Sequence, residues 1–235
     1  MVATYLAGVA SGGRHGKEAA IDSHDDATHR LLGWAKDSPS GTEFALVGKG
    51  VGSLTARGVA LGTDPVAYRV DYELTAGPDY VTTELSVGVT GDGWWRRLDL
   101  ARSGEGRWAA RIAQDGDADL PPPGGDTAAF DDVLDLDVEL SPLFTSLPVL
   151  RHGLHDAGEP VEFPIVGVSL PDLRLHASRQ RYTYLGPSPD GAVVRLESLD
   201  ADVAAEIVFD DDGLVVDYPG IGRRILPDVP PRVAA

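Results

Sequence analysis

Between Tyr68 and Leu74 apolar and polar residues alternate without a break: Tyr68, Val70, Tyr72 and Leu74 on one side, Arg69, Asp71 and Glu73 on the other. Successive side chains of a strand point to opposite faces, so this period of two fits a half-buried β-strand and no helix. The alternation resumes at Thr83, Leu85, Val87 and Val89, then in Trp94 to Leu100, Arg107 to Ile112 and Leu134 to Leu140. Further strands are expected near 160–169, 173–184, 192–198, 202–209 and 214–218. Turn chemistry separates them: Thr75-Ala76-Gly77-Pro78-Asp79, Gly91-Asp92-Gly93, Ser103-Gly104-Glu105-Gly106, the Gly186 to Gly191 stretch, and Asp210-Asp211-Asp212-Gly213. The expectation is an all-β chain, a single antiparallel meander with little helix.

The ends of the chain lack this signal. Residues 1–33 are rich in Gly, Ala, His and Asp, and read as a weakly structured N-terminal extension in which Asp22 or Ser23 caps a short helix running to Leu32. Residues 34–225 form the expected β domain, and 226–235 a Pro-rich tail. Ala113 to Ala129, with Pro121-Pro122-Pro123-Gly124-Gly125 at its centre, reads as a loop, and Ser141 to Pro148 as a turn region.

The chain of 235 residues carries a formal net charge of −17, which disfavours nucleic acid and anionic membrane surfaces, because phosphate binding needs clustered Lys and Arg. With no cysteine, disulfide, zinc-thiolate and thiol-nucleophile chemistry are excluded, and a cytoplasmic setting is expected. No basic residue precedes the mildly apolar Val2 to Ala10, unlike a secretory signal. No apolar run approaches the ~20 residues of an integral membrane segment.

Recognised catalytic and cofactor motifs are missing. Gly167-Val168-Ser169-Leu170-Pro171 ends on a proline where a nucleophile elbow needs a small residue entering a helix, and neither a Walker loop nor a dinucleotide fingerprint follows any strand. His152-Gly153-Leu154-His155 carries zinc-compatible ligands, but Gly153 argues against a helix aligning them, so a surface loop is expected. His24 and His29 fall in the extension. Asp210, Asp212 and Gly213 read as a hairpin turn, since Val208 and Pro219 stand where a calcium loop needs acids. Asp135, Asp137 and Glu139 line one strand face, and alternation predicts a solvated acidic surface. No metal and no cofactor is expected.

An aromatic and arginine constellation remains. Trp94, Trp95, Tyr182, Tyr184 and Tyr218 lie on expected strands beside Arg96, Arg97, Arg179, Arg181 and Asp217. Aromatic faces pack on the C–H surfaces of sugars while Arg and Asp bond the hydroxyls. The same residues also suit a core with structural ion pairs; for Arg181 the expected partner is Asp217.

Four motifs taken in order, Asp135-Leu136-Asp137-Val138, Arg179-Gln180-Arg181-Tyr182-Thr183, Glu197-Ser198-Leu199-Asp200 and Gly213-Leu214-Val215-Val216-Asp217-Tyr218-Pro219-Gly220, resemble the bacterial family named Putative glycolipid-binding. Glu43, Gly58-Val59, Tyr68-Arg69-Val70-Asp71 and Gly93-Trp94 extend the likeness. The resemblance implies a spiral β-roll, a curved sheet like that of lipoprotein carriers, and a lipid or glycolipid ligand. It carries over Tyr68, Asp71, Asp135, Asp137, Arg181, Tyr182, Asp217 and Tyr218 as ligand-binding positions, to which the aromatic–arginine pattern adds Trp95 and Arg97. Tyr80 stands where the family tends to place Trp, and residues 1–32 have no counterpart. The expected function is non-catalytic: an apolar ligand in a groove on the inner face of the sheet, with Tyr182 and Tyr218 near its mouth. The alternatives are a protein–protein interaction module without a small ligand, or an enzyme using the Asp/Arg/Tyr cluster.

Overall fold

The structure, a computed structural model, describes residues 28–37 and 39–225. Among them fourteen strands form one open sheet in the order β7-β6-β5-β4-β3-β2-β1-β14-β13-β12-β11-β10-β9-β8. The first seven strands are β1 (Thr28–Asp37), β2 (Ser40–Gly50), β3 (Ser53–Gly62), β4 (Tyr68–Ala76), β5 (Thr82–Gly91), β6 (Trp94–Arg102) and β7 (Trp108–Asp115). The second seven are β8 (Asp135–Val138), β9 (Val161–Val168), β10 (Leu175–Ser188), β11 (Gly191–Ser198), β12 (Val203–Phe209), β13 (Val215–Tyr218) and β14 (Gly222–Arg224). Every neighbouring pair is antiparallel except β8 and β9, which run parallel and correct the purely antiparallel expectation. The chain between them, residues 139–160, is long enough for a crossover and holds the helix α1 (Ser146–His152), which occupies part of the expected turn region. Gly153 ends that helix in the left-handed conformation, φ 65°, a position that suits glycine.

β1 begins at Thr28, so residues 28–33 belong to the sheet and not to the expected extension or its helix. Leu32 and Trp34 point inward and are 2% and 0% exposed, and that burial outweighs the polar surroundings that suggested a loose segment. The expected extension over 1–27 and the tail over 226–235 lie outside the described residues.

The inner face of the sheet is filled. Residues between β7 and β9 turn back across it, burying Phe130, Leu136, Val138, Leu143, Phe144, Leu147 and Leu150 against Tyr72, Leu74, Val87 and Leu98. Phe144 meets Tyr72 edge-on at 5.3 Å between ring centres. A second, smaller cluster gathers Val149, Leu154, Phe163, Ile165, Tyr182, Val194, Ile207, Phe209 and Val215. Each such side chain contributes about 1.5–3 kcal/mol by leaving water, so the sheet spends its curvature on a core. The expected apolar groove along the inner face is therefore corrected: its lining is occupied by the chain's own β7–β9 connection.

Glycines on the inner face make room for rings. Gly58 lies opposite Tyr72, Gly62 opposite Tyr68 and Gly91 opposite Trp94 in register, and a Cβ on any of the three would collide with the partner ring. Deepest of all lies a charged group. Glu43 is fully buried, accepting from Tyr72 Oη at 2.8 Å and Ser141 Oγ at 2.7 Å, with the Lys36 ammonium 3.1 Å away.

Candidate functional site

Strand alternation divides the expected binding residues into two sets on opposite faces. Asp71, Trp95, Arg97 and Arg181 point outward; Tyr68, Asp135, Asp137 and Tyr182 point inward, with Asp217 and Tyr218 half-buried on β13. Tyr68 covers Gly62 and belongs to the main core, its hydroxyl pushed up to about 12 by burial and by the charges of Asp64 and Glu139.

The inward set converges in the C-terminal half. β8 delivers Asp135 and Asp137, β10 delivers Gln180 and Tyr182, and β13 delivers Tyr218. Tyr182 is 1% exposed, and its Oη donates to Gln180 Oε1 at 2.9 Å. That orientation turns the Gln180 amide nitrogen toward Asp137. Three rings form a continuous stack beneath: His152 on Phe163 and Phe163 on Tyr182, each at 5.3 Å between centres. Arg151, the next residue back along α1, lays its guanidinium 5.2 Å over the Phe163 ring and closes an ion pair with the fully buried Asp135, with Nε at 3.2 Å. The expected solvated face of β8 is thus corrected: Asp135 is an internal carboxylate, because the edge strand is covered by α1 and β10.

Asp137 differs from Asp135 in having no cation among the described residues. Protein surrounds it on nearly all sides, and it keeps some contact with solvent. Burial pushes its carboxyl up to about 7, opposed by the Gln180 hydrogen bond and assisted by the Glu139 charge. Near neutral pH it can therefore donate as well as accept. Tyr218 is raised by burial and by Asp137, and Tyr182 well above the usual range by burial first and then by Asp137, Tyr218 and Asp135. Half-buried Val161, Tyr184 and Ala205 pack against the same hydrophobic cluster beside Tyr182. His152 Nε2 and His155 Nδ1 are buried with no hydrogen-bond partner among the described residues. Burial lowers the His152 pKa, with the neighbouring Arg151 charge adding to it; both histidines are half-buried, His152 at the end of α1 and His155 in the turn after it, rather than on the expected surface loop.

Two expectations fail here. Tyr182 stands at the base of this site and not at a mouth, leaving Tyr218 as the tyrosine in reach of solvent. Arg181 does not meet Asp217, because β10 and β13 are three strands apart, about 14 Å at ~4.8 Å per strand. Arg181 instead lies directly between Glu162 and Glu197 in register and pairs with both, donating from Nε to Glu162 at 2.7 Å. Sequence reading missed Gln180, Phe163 and Arg151 as partners. Gln180 shares the inward parity of Tyr182, and a polar residue at an inward position was the available signal.

Among the described residues no three His, Asp or Glu side chains gather as a metal site, and no helix is long and apolar enough to cross a membrane. The family model described as Putative glycolipid-binding matches residues 31–224. No curated protein matches the chain. Among solved structures, the crystal structure of a DUF1089 family protein from Pseudomonas aeruginosa is similar, with 29% identity and a TM-score of 0.60 over 78% of this chain and 92% of that one.

Proposed function

The chain belongs to the Putative glycolipid-binding family, and from that premise we propose that it binds a glycolipid non-catalytically around Asp137. One observation carries this reading: a buried carboxyl with no cation beside it among the described residues, able to donate or accept, in contact with the Tyr182 and Tyr218 end of an aromatic cluster. Asp137, the Tyr218 hydroxyl and the Gln180 amide suit sugar hydroxyls. The half-buried Val161, Tyr184 and Ala205 beside Tyr182 suit the first methylenes of the lipid, each worth about 0.8 kcal/mol on leaving water. With several kcal/mol lost to association and chain ordering, affinity in the micromolar range is expected. The net charge of −17 favours an uncharged headgroup.

The test is a titration of a fluorescent galactosyl lipid, with a fluorescent fatty acid of equal chain length as control, against native protein and the Asp137→Asn and Tyr218→Phe variants. Saturable binding of the galactosyl lipid, weakened at least tenfold in Asp137→Asn, supports the proposal. Absence of saturable binding by the native protein, or equal binding by a folded Asp137→Asn variant, sinks it.

A second reading is favoured by the same carboxyl. A group titrating near neutral pH is suited to general acid–base work, so cleavage of the bound ligand is the competing outcome. Mass spectrometry of ligand recovered after long incubation separates the two: intact recovery supports binding alone, and a released sugar supports catalysis.

A further inference from the structure

We propose that the outward face of β4–β6 carries a second binding site, for a neutral saccharide seated over Gly88 between Asp71 and Arg97. This site is on the opposite face of the sheet from Asp137 and does not depend on the reading given to that residue.

Strand register arranges the outward side chains as a grid. One row across β4, β5 and β6 reads Asp71, Gly88, Arg97. The row to one side reads Glu73, Ser86, Asp99, and the row to the other Arg69, Thr90, Trp95. Gly88 is a missing side chain at the centre of that grid. A Cβ placed there would meet nothing nearer than the Arg96 carbonyl oxygen at 3.8 Å. At Gly58, Gly62 and Gly91 a ring occupies the space that glycine vacates, whereas at Gly88 the space opens to solvent. An interior glycine weakens a strand, so a vacated and uncovered position asks for a reason beyond packing.

The opening is a depression of about 320 Å³ lined by Arg57, Asp71, Glu73, Ser86, Gly88 and Arg97. At ~30 Å³ per water it holds about ten waters, close to the dozen or so non-hydrogen atoms of a hexose. Its polar groups are held in place before any ligand arrives. The Arg97 Nε donates to both Asp99 oxygens at 3.0 and 3.1 Å, and its Nη2 donates to Ser86 Oγ at 2.7 Å. Arg69 donates to Asp71 from the far side. A carboxylate on one edge of the gap accepts and a guanidinium on the other donates; a sugar hydroxyl does both, so neighbouring hydroxyls can bridge the two edges.

Charge selects the ligand class. Arg57, Arg69 and Arg97 face Asp71, Glu73 and Asp99, which leaves the grid balanced in a chain of net charge −17. Such a patch attracts neither strong anions nor cations, and suits a polyol. Trp95, 41% exposed, stands on the same face of β6 two residues before Arg97 and offers an aromatic surface for sugar C–H groups. A second depression of about 350 Å³ shares Glu73 and Ser86 and continues over Ala101, Ala109 and Arg111, in line for a second sugar unit.

Gly88→Thr tests the proposal without threatening the fold. The position has room for a Cβ, and threonine suits an exposed strand position better than glycine. The probes are the methyl glycosides of glucose, galactose and mannose, with cellobiose and lactose, titrated by saturation-transfer NMR. The native protein is expected to bind at least one of them saturably in the millimolar range, and a disaccharide more tightly than its monosaccharide. Gly88→Thr should lose tenfold or more in affinity with an unchanged or higher melting temperature, and Trp95→Ala should lose severalfold. No saturable binding of any probe by the native protein, or native affinity in Gly88→Thr, overturns the proposal. Loss of binding in Asp137→Asn but not in Gly88→Thr would put the sugar at the other site and overturn it equally.

Discussion

Asp137→Asn is expected to stabilise this protein at neutral pH and to do little at low pH. The carboxyl rises from an ordinary 3.8 to about 7, first because it is buried, with the Gln180 hydrogen bond opposing and the Glu139 charge adding. A carboxyl that holds its proton more tightly when folded than when unfolded stabilises the fold fully below its unfolded pKa. That contribution is lost as pH rises through the folded pKa. At ~1.36 kcal/mol per pH unit, the rise from about pH 5 to about pH 7 withdraws at most ~2.7 kcal/mol. Asp137 keeps some solvent contact, and the effective dielectric around such a group brings the figure nearer ~1–1.5 kcal/mol. Asparagine keeps the shape and an acceptor for Gln180, and it cannot ionise. Urea denaturation of both proteins at pH 5, 6, 7 and 8 should show the difference moving in the variant's favour by that amount, mostly below pH 7, and then levelling. At neutral pH this corresponds to about 2–6 °C in melting temperature for a domain of this size. A difference that stays flat from pH 5 to 8, or a variant less stable at pH 8, refutes the claim that the fold holds this carboxyl against its ionisation. If the same variant also loses glycolipid binding, the site trades stability for function.

Gly58→Ala should destabilise by about 1–3 kcal/mol, because the new methyl collides with the Tyr72 ring and disturbs its bond to Glu43; thermal denaturation measures it, and a neutral result would mean the ring can move aside. Lys36→Met should cost about 3–5 kcal/mol by leaving the buried Glu43 without its cation, and pairing it with Glu43→Gln should recover most of the loss; an unstable double variant would show that the shape of the pair, not its charge, is what the core needs. Arg181→Ala should leave the urea midpoint unchanged within error, since its partners Glu162 and Glu197 are themselves half-exposed; a clear drop would show that the outer charge ladder holds the strands together.

The strands from Tyr68 to Leu100 were legible because one face is buried and the other wet, which prints a period of two directly into the residue types. The same rule made Asp71, Trp95 and Arg97 outward and Tyr182 inward, although reading them as one site ignored that parity. β1 was not legible: Leu31 is exposed while Leu32 and Trp34 are buried, and three apolar residues within four positions blur the alternation. The pairing of Arg181 was hidden because partners follow from strand order, and strand order is a long-range property that no local pattern carries. Asp135 and Asp137 looked like a solvated face because β8 does alternate; α1 covers Asp135 through Arg151, and Gln180 of β10 faces Asp137, contacts that depend on the parallel return to β9. Gln180 and Glu43 were the signals within reach, being polar residues at inward positions.

The order of strands has a consequence for how the chain can reach this state. β1 joins β14 at the middle of the sheet, while consecutive β7 and β8 form its two edges. Each half of the chain is a ladder of near neighbours, so its strands can find one another without long searches. The join between the halves brings Trp34 to Arg224, about 190 residues apart, and closing a loop of that length costs roughly 4–5 kcal/mol in chain entropy. Only two residue pairs are in register there, so the backbone alone is a poor fastener. Side chains complete it: Trp34 Nε1 donates to the Val215 carbonyl at 3.0 Å, Arg30 pairs with Asp210 and Asp212 at 3.0 and 2.8 Å, and Lys49 pairs with Asp212 at 3.1 Å. The slow step of folding is therefore expected to be the joining of the two halves, at this seam and across the core they share. Substitutions at Trp34 or Arg30 should slow folding far more than equally destabilising changes inside either half, and a break introduced between β7 and β8 should yield two fragments able to reassemble.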